Sequence, residues 1–238
     1  MPELSSLRIH IYADGAEISG ILEMAKNPLI KGFTTNPTLM RKAGISDYEK
    51  FARELLQNIN KHPVSLEVFA DDFPEMRRQA HLIAGWGKNV NVKIPITNSK
   101  GESSLPLVDE LAKSGVIVNV TAIMTLRQVE DLGRVLSPTL TSIVSVFAGR
   151  IADTGVDPVP HMVKCKELLS GVPAAQLLWA SPRELLNIFQ ADEISCDIIT
   201  VTNDVLAKLK LVGKPLEEYS LETVEMFRRD AVAASYTI

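Results

Sequence analysis

The chain has 238 residues, 46% of them apolar and 23% charged, with a formal net charge of −4. That length buries a full hydrophobic core, the balance is that of an ordinary globular protein, and the mild acidity excludes the basic footprint of a nucleic-acid binder. Two cysteines far apart and four scattered histidines suggest neither a disulfide framework nor a zinc site, so no metal is expected. No stretch approaches the roughly 18 apolar residues of a membrane span, and residues 1–8 lack a basic region followed by a long apolar run, so a cytoplasmic location is expected.

Residues 8–13 alternate as a first strand that Asp14-Gly15 ends, before a helical run through Ile18, Ile21, Leu22 and Ala25. Residues 31–34 form a second strand, Thr34-Thr35-Asn36-Pro37 a polar turn, and a helix spans about 47–60. The third strand, 64–69, places Ser65, Glu67 and Phe69 on one face and Leu66 and Val68 on the other. A helix beginning near Asp71-Asp72 has acidic residues where its dipole favours them. The fourth strand, 89–95, sets Val90, Val92 and Ile94 opposite Asn91 and Lys93. A polar loop, 97–104, and a helix ending before Gly115 follow.

Strand five, 116–121, pairs Asn119 with Thr121 on one face, and the helix after it spans about 126–136. Strand six, 141–147, puts Ser145 and Phe147 opposite Val144 and Val146 and feeds a loop over 148–153. Pro158 and Pro160 open a helix through Leu169, 175–180 is a seventh strand, and Pro182 starts a seventh helix. Residues 197–201 make an eighth strand, with Thr202 or Asn203 capping an eighth helix. Residues 220–235 read as an extra amphipathic helix with a serine cap, suited to covering a barrel end or an adjoining subunit. Eight strand-helix units of about 25–30 residues predict a single (β/α)₈ TIM barrel domain over 1–238, with an extra C-terminal helix. An open doubly wound sheet also alternates strands and helices, but its Gly-x-Gly-x-x-Gly fingerprint is absent.

In such a barrel the apolar face of each strand meets a helix, and the other face points inward. Lys93 then faces the interior near a strand C-terminus, where these folds carry their active sites. A free lysine titrates near about pH 10.4, and burial can lower that value enough for a neutral amine to attack a carbonyl. The alternative is a lysine whose stem packs and whose head reaches water. Asp14, Asn36, Glu67, Asn119, Thr121 and Ser145 lie at the other strand ends on the same inward parity. Singly, each also fits a bland role as a cap, turn residue or loop partner; together they converge, and buried polar groups are costly unless paired.

The segments Thr34-Thr35-Asn36-Pro37, Val92-Lys93-Ile94-Pro95, Asn119-Val120-Thr121-Ala122-Ile123-Met124-Thr125 and Ser145-Val146-Phe147-Ala148-Gly149-Arg150-Ile151-Ala152-Asp153 closely resemble those of transaldolases. The resemblance is to the short members, which include fructose-6-phosphate aldolase-like enzymes, and it covers essentially the whole chain. It implies a class I mechanism without metal or organic cofactor, in which Lys93 forms a Schiff base with a ketose phosphate. Asp14 would be the acid/base during carbon-carbon cleavage, while Glu67 and Thr121 would position a proton-shuttling water. Asn36, Asn119 and Ser145 would hold the dihydroxyacetone unit, with Thr34 and Phe147 completing its surroundings, and Arg150 would bind the phosphate. The dihydroxyacetone unit would then pass to an aldose phosphate. Transaldolases resemble this chain in having Glu at position 67 and Phe at 147, where aldolase-type relatives have Gln and Tyr. That favours transfer over a lyase that releases dihydroxyacetone.

Two segments depart from the family pattern: strand eight runs into Thr200-Val201-Thr202-Asn203-Asp204, where Thr-Leu-Pro is common, and the stretch after strand seven is altered. Where Ala-Ser-Phe-Arg is usual after strand seven, this chain runs Trp179-Ala180-Ser181-Pro182-Arg183-Glu184 and is shortened before the next helix. Ser181 and Arg183 are expected as further phosphate contacts, and Pro182 is positioned to redirect Arg183. Sugar phosphates are the expected partners, and the short relatives imply a homo-oligomer.

Overall fold

A computed structural model describes residues 3–237. Eight strands close into a barrel in sequence order, every neighbouring pair parallel. They are β1 (His10–Asp14), β2 (Ile30–Thr34), β3 (Val64–Glu67), β4 (Val90–Pro95), β5 (Val118–Ile123), β6 (Ser142–Val146), β7 (Ala175–Trp179) and β8 (Ile198–Thr202). Helices α1 (Ile18–Met24), α2 (Pro37–Lys42), α3 (Tyr48–Asn58), α4 (Phe73–Ala84), α5 (Leu105–Lys113) and α6 (Leu126–Gly133) accompany the first five strands. The rest carry α7 (Ala148–Asp153), α8 (Pro158–Leu168), α9 (Leu186–Glu193), α10 (Asn203–Leu206) and α11 (Leu216–Ala233).

Strand alternation separates two cores. Ile11, Val64, Leu66, Val92, Ile94, Val118, Val144, Val146 and Trp179 belong to the large core between strands and helices. Tyr12, Ile143, Leu178, Ala180 and Ile198 form a second cluster with Phe147 packed on it. These lie on the opposite parity and fill the barrel interior, each fully buried aliphatic side chain contributing about 1.5–3 kcal/mol. Tyr12 is bulky enough to require a glycine opposite it: a Cβ on Gly32 would lie 2.5 Å from the Tyr12 ring.

The helices follow from caps and apolar stripes. Asp47 accepts the Lys50 amide at 3.0 Å and starts α3, whose Phe51, Ala52, Leu55 and Leu56 are buried. Thr125 and Gln128 form a reciprocal capping box on α6.

Several local expectations are corrected. The polar turn at 34–37 leads directly into α2, because the Asn36 side chain accepts the Leu39 amide at 2.9 Å and Pro37 occupies the first helical turn. Residues 148–153 are not a loop but α7. β3 ends at Glu67, so Phe69 does not join its inward face. The Gln79 side chain accepts the Phe69 and Ala70 amides at 2.8 and 3.0 Å and turns the chain outward, where Phe69 meets Tyr48 edge-on at 4.6 Å.

Pro182 does not start a helix either. Asn187 Oδ1 accepts the Arg183 and Glu184 amides at 2.8 and 3.1 Å, holding a turn, and α9 begins at Leu186. Thr202 occupies the cap position of α10 without a side-chain cap bond, and the four residues of α10 run into a 3₁₀ turn, Ala207–Leu211. The last helix starts four residues earlier than expected, at Leu216 behind Pro215, so Ser220 lies inside it rather than capping it. No residue of α11 is buried, and Leu221, Val224 and Phe227 are 59%, 60% and 63% exposed. No described helix is long and apolar enough to cross a membrane.

Candidate active site

Register sets the level of the inward side chains. Asp14 is paired with Thr34, Thr34 with Ser65, Glu67 with Lys93, and Lys93 with Asn119, so residues from five consecutive strands meet near the C-terminal mouth. A cavity of about 1100 Å³ opens there. It is lined by all twelve side chains singled out in the sequence: Asp14, Thr34, Asn36, Glu67, Lys93, Asn119, Thr121, Ser145, Phe147, Arg150, Ser181 and Arg183.

Lys93 stands at its floor. Its Nζ donates to the Thr35 carbonyl and lies 3.3 Å from Glu67 Oε2, with the two side chains only 12% and 6% exposed. Thr35 Oγ1 lies 3.1 Å from the Ser65 carbonyl and 3.3 Å from the same Glu67 oxygen, its single proton shared between the two acceptors. Glu67 Oε1 is buried without a partner. Burial pushes the Glu67 carboxyl above the usual carboxylate range, against the pull of Lys93.

Asp14 is held by two donors, Thr34 Oγ1 at 2.7 Å and Asn36 Nδ2 at 3.1 Å. Because Thr34 gives its proton to Asp14, it accepts the one from Thr200 across the β1 strand end. Asn36 therefore does two jobs, starting α2 with its oxygen and orienting Asp14 with its nitrogen. Burial raises the Asp14 carboxyl, opposed by Lys93, Thr34 and Asn36 in that order. A second chain runs along the other wall, with Ser145 Oγ donating to Asn119 Oδ1 at 2.6 Å and Asn119 Nδ2 to Ser65 Oγ at 3.1 Å. Three side chains are thereby fixed, each buried.

The β5 wall is irregular. Thr121 is partnered with Pro95, the pairing with β6 shifts between Val120 and Ile123, and Ala122 has a φ of 63°. Ser181 on the opposite rim has a φ of 61°. Left-handed conformations in non-glycine residues persist only where surroundings impose them, and both line the cavity. Arg150 lies 5.3 Å over the Phe147 ring, and Arg183 pairs with Asp153. Among the described residues no three of His, Cys, Asp and Glu converge to hold a metal ion. Cys165 and Cys196 are buried, with thiols pushed up to about 12 by burial, and are unsuited to nucleophilic chemistry.

Sequence reasoning missed Thr200, Thr35 and Asp153. Thr200 shares the inward parity of Ile198 on β8, so alternation carried the signal. The Thr35 contribution is mostly a main-chain carbonyl, to which residue identity gives no clue.

The chain matches the family Transaldolase/Fructose-6-phosphate aldolase over residues 11–238. It is 34% identical over 214 residues to a probable transaldolase of Dehalococcoides mccartyi, covering 88% of this chain and 93% of that one. A probable transaldolase of Chelativorans sp. is 32% identical over 212 residues, with 89% and 92% covered. Among solved structures, 3-hexulose-6-phosphate synthase from Salmonella typhimurium superposes with a TM-score of 0.58 at 11% identity, covering 82% of this chain and 89% of that one. Dihydrodipicolinate synthase from Bacillus clausii gives 0.57 at 10% identity, with 84% and 70% covered. At such identities these two speak for the barrel alone.

Proposed function

Because the chain belongs to the transaldolase/fructose-6-phosphate aldolase family, we propose that it is a transaldolase that moves a dihydroxyacetone unit between sugar phosphates through a Schiff base on Lys93. The observation that carries the reading is the Lys93 amine 3.3 Å from Glu67 on the floor of the cavity that also holds Asp14.

Glu67 takes the proton that the Lys93 amine must lose before it attacks the ketose C2 carbonyl. Addition gives a carbinolamine, and loss of water gives an iminium. Glu67 and Thr121 hold the water that carries protons in these steps. Asp14 then takes the proton of the C4 hydroxyl while the C3–C4 bond breaks. The electron pair of that bond moves toward the iminium nitrogen, leaving an enamine and releasing an aldose phosphate. In the reverse sense, the enamine C3 attacks an acceptor aldehyde and Asp14 returns the proton to its oxygen. A carboxyl raised by burial suits this exchange, because it can hold and release a proton nearer neutrality than an exposed one. Thr34, Asn36, Asn119 and Ser145 orient the dihydroxyacetone hydroxyls, Phe147 walls the site, and Arg150, Ser181 and Arg183 face the phosphate.

Transfer is favoured over simple release by Glu67 and Phe147, the residue types that accompany transaldolases. A homo-oligomer is part of the reading, since α11 exposes Leu221, Val224 and Phe227, which a second copy of the chain would cover. A panel of ketose phosphate donors assayed with and without an aldose phosphate acceptor tests the function. Transfer far exceeding release supports the proposal, and efficient dihydroxyacetone release without acceptor replaces it with a lyase.

A further inference from the structure

The rim beyond β6 and β7 carries two guanidinium groups in unequal states. Arg150 stacks over Phe147 and forms no ion pair among the described residues. Arg183 has the Nε/Nη2 edge of its fork taken by a carboxylate: Nε donates to Asp153 Oδ1 at 2.8 Å and Nη2 to Asp153 Oδ2, while Nη1 donates to Ser181 Oγ at 3.0 Å. Asp153 lies three residues beyond Arg150 on α7 and therefore stands beside both cations. Its carboxyl is held below the usual range by hydrogen bonding from Arg183, with a smaller contribution from Arg150.

The backbone that presents Arg183 is fixed. Asn187 accepts its amide, and the Ser181 carbonyl fills the place where a Cβ on Gly149 would fall, 1.6 Å away. The side-chain pair is the adjustable part. Arg183 and Asp153 are 46% and 54% exposed, so water screens their attraction and lets either partner be exchanged. A phosphate dianion offers the fork the same paired oxygens as a carboxylate, with more charge.

We propose that Asp153 is a specificity-determining residue: its carboxylate occupies the Nε/Nη2 edge of Arg183 in the free protein, and a substrate phosphate displaces it to take that paired edge together with Arg150. This inference rests on the sugar-phosphate reading of the site. The exchange favours a dianion that meets both guanidiniums and disfavours neutral or singly charged groups, which gain too little from Arg183 to replace Asp153.

The test is calorimetric titration of inorganic phosphate into the full chain and its Asp153→Asn and Asp153→Ala variants, with steady-state KM for glyceraldehyde 3-phosphate and glyceraldehyde as acceptors. Both variants are expected to bind phosphate roughly fivefold tighter, the effect of removing one unit charge at about 4 Å through water. KM is expected to fall for the phosphorylated acceptor and not for the unphosphorylated one. In the Asp153→Asn/Arg183→Gln double variant most of the gain is expected to disappear. Unchanged or weaker phosphate binding in both single variants overturns the proposal and makes Asp153 a strut that orients Arg183, while the sugar-phosphate reading stands. If neither the wild type nor the variants bind phosphate, and borohydride traps no ketose phosphate, the sugar-phosphate reading fails and takes this inference with it.

Discussion

The floor and the rim of the cavity each set a cation against a carboxylate, yet the carboxylates shift in opposite directions. Glu67, facing Lys93 with both side chains nearly buried, is raised; Asp153, facing Arg183 with both about half-exposed, is lowered. At the floor desolvation outweighs the neighbouring cation, whereas at the rim there is little desolvation to oppose the hydrogen bonds from the guanidinium. The same kind of pair is therefore suited to proton transfer in one place and to exchangeable anion binding in the other.

The largest contrast should come from the floor. Lys93→Ala is expected to lower transfer by roughly 10⁴-fold or more, since no other described side chain replaces the proposed nucleophile. Residual transfer within tenfold of wild type would place the chemistry elsewhere. Asp14→Asn is expected to cost about 10²–10⁴-fold in kcat, the usual range for a positioned acid or base. An equal loss in binding with kcat intact would instead make Asp14 a substrate contact. Glu67→Gln, which installs the residue of the aldolase-type relatives, is expected to lower transfer relative to dihydroxyacetone release.

Gly149 joins the two rim segments, and Gly149→Ala drives a Cβ into the Ser181 carbonyl. That contact is with backbone, so relief requires α7 or the 181–185 turn to move. A loss of about 1–3 kcal/mol of stability is expected, read as a lower Tm together with weaker phosphate binding. A Tm within a degree of wild type would show that the turn yields freely.

At the rim, Arg150→Ala is expected to raise KM for a phosphorylated acceptor by about tenfold or more, the scale of a lost charge-assisted hydrogen bond. Because the rim is open to solvent, added salt should erode Arg150-dependent affinity while leaving the floor variants' deficits unchanged. A salt-independent Arg150 effect would break the distinction between the two regions.

The smallest effect concerns pH and stability. Native Asp14 and Glu67 are raised above their unfolded values of about 3.9 and 4.3, so between the two sets of values the native state binds more protons than the unfolded one. Their contribution is full below the unfolded values and is lost as pH rises through the raised native ones. Asp153 has the opposite sign, contributing above its unfolded value and losing that contribution as pH falls through its lowered native one. Thermal melts followed as pH rises from about 4, near the unfolded carboxyl values, should lose part of their downward slope in Asp14→Asn. An unchanged slope would mean that Asp14 ionises no differently on folding.

Strand parity made the barrel and the inward set legible. The alternation in 90–95 is enough to place Lys93 opposite Val92 and Ile94, and the same reasoning places Glu67, Asn119 and Ser145. It failed where short-range hydrogen bonds override alternation, as at Phe69, which Gln79 pulls out of line. Helices of six residues, α2 and α7, are too short for their periodicity to stand out, although the Asn36 cap and Pro37 were visible signals. Pro182 is compatible with a helix start, but the Asn187 side chain closes a turn there instead. The pairing of Arg183 with Asp153 joins segments 30 residues apart, and nothing local announces it.

In the proposed mechanism Lys93 forms the covalent link to substrate. Borohydride reduction in the presence of fructose 6-phosphate, followed by peptide mass spectrometry, addresses it directly. A three- or six-carbon adduct on the peptide containing Lys93, absent in Lys93→Ala, is the expected result. An unmodified Lys93 in a preparation that transfers dihydroxyacetone under the same conditions would contradict the account.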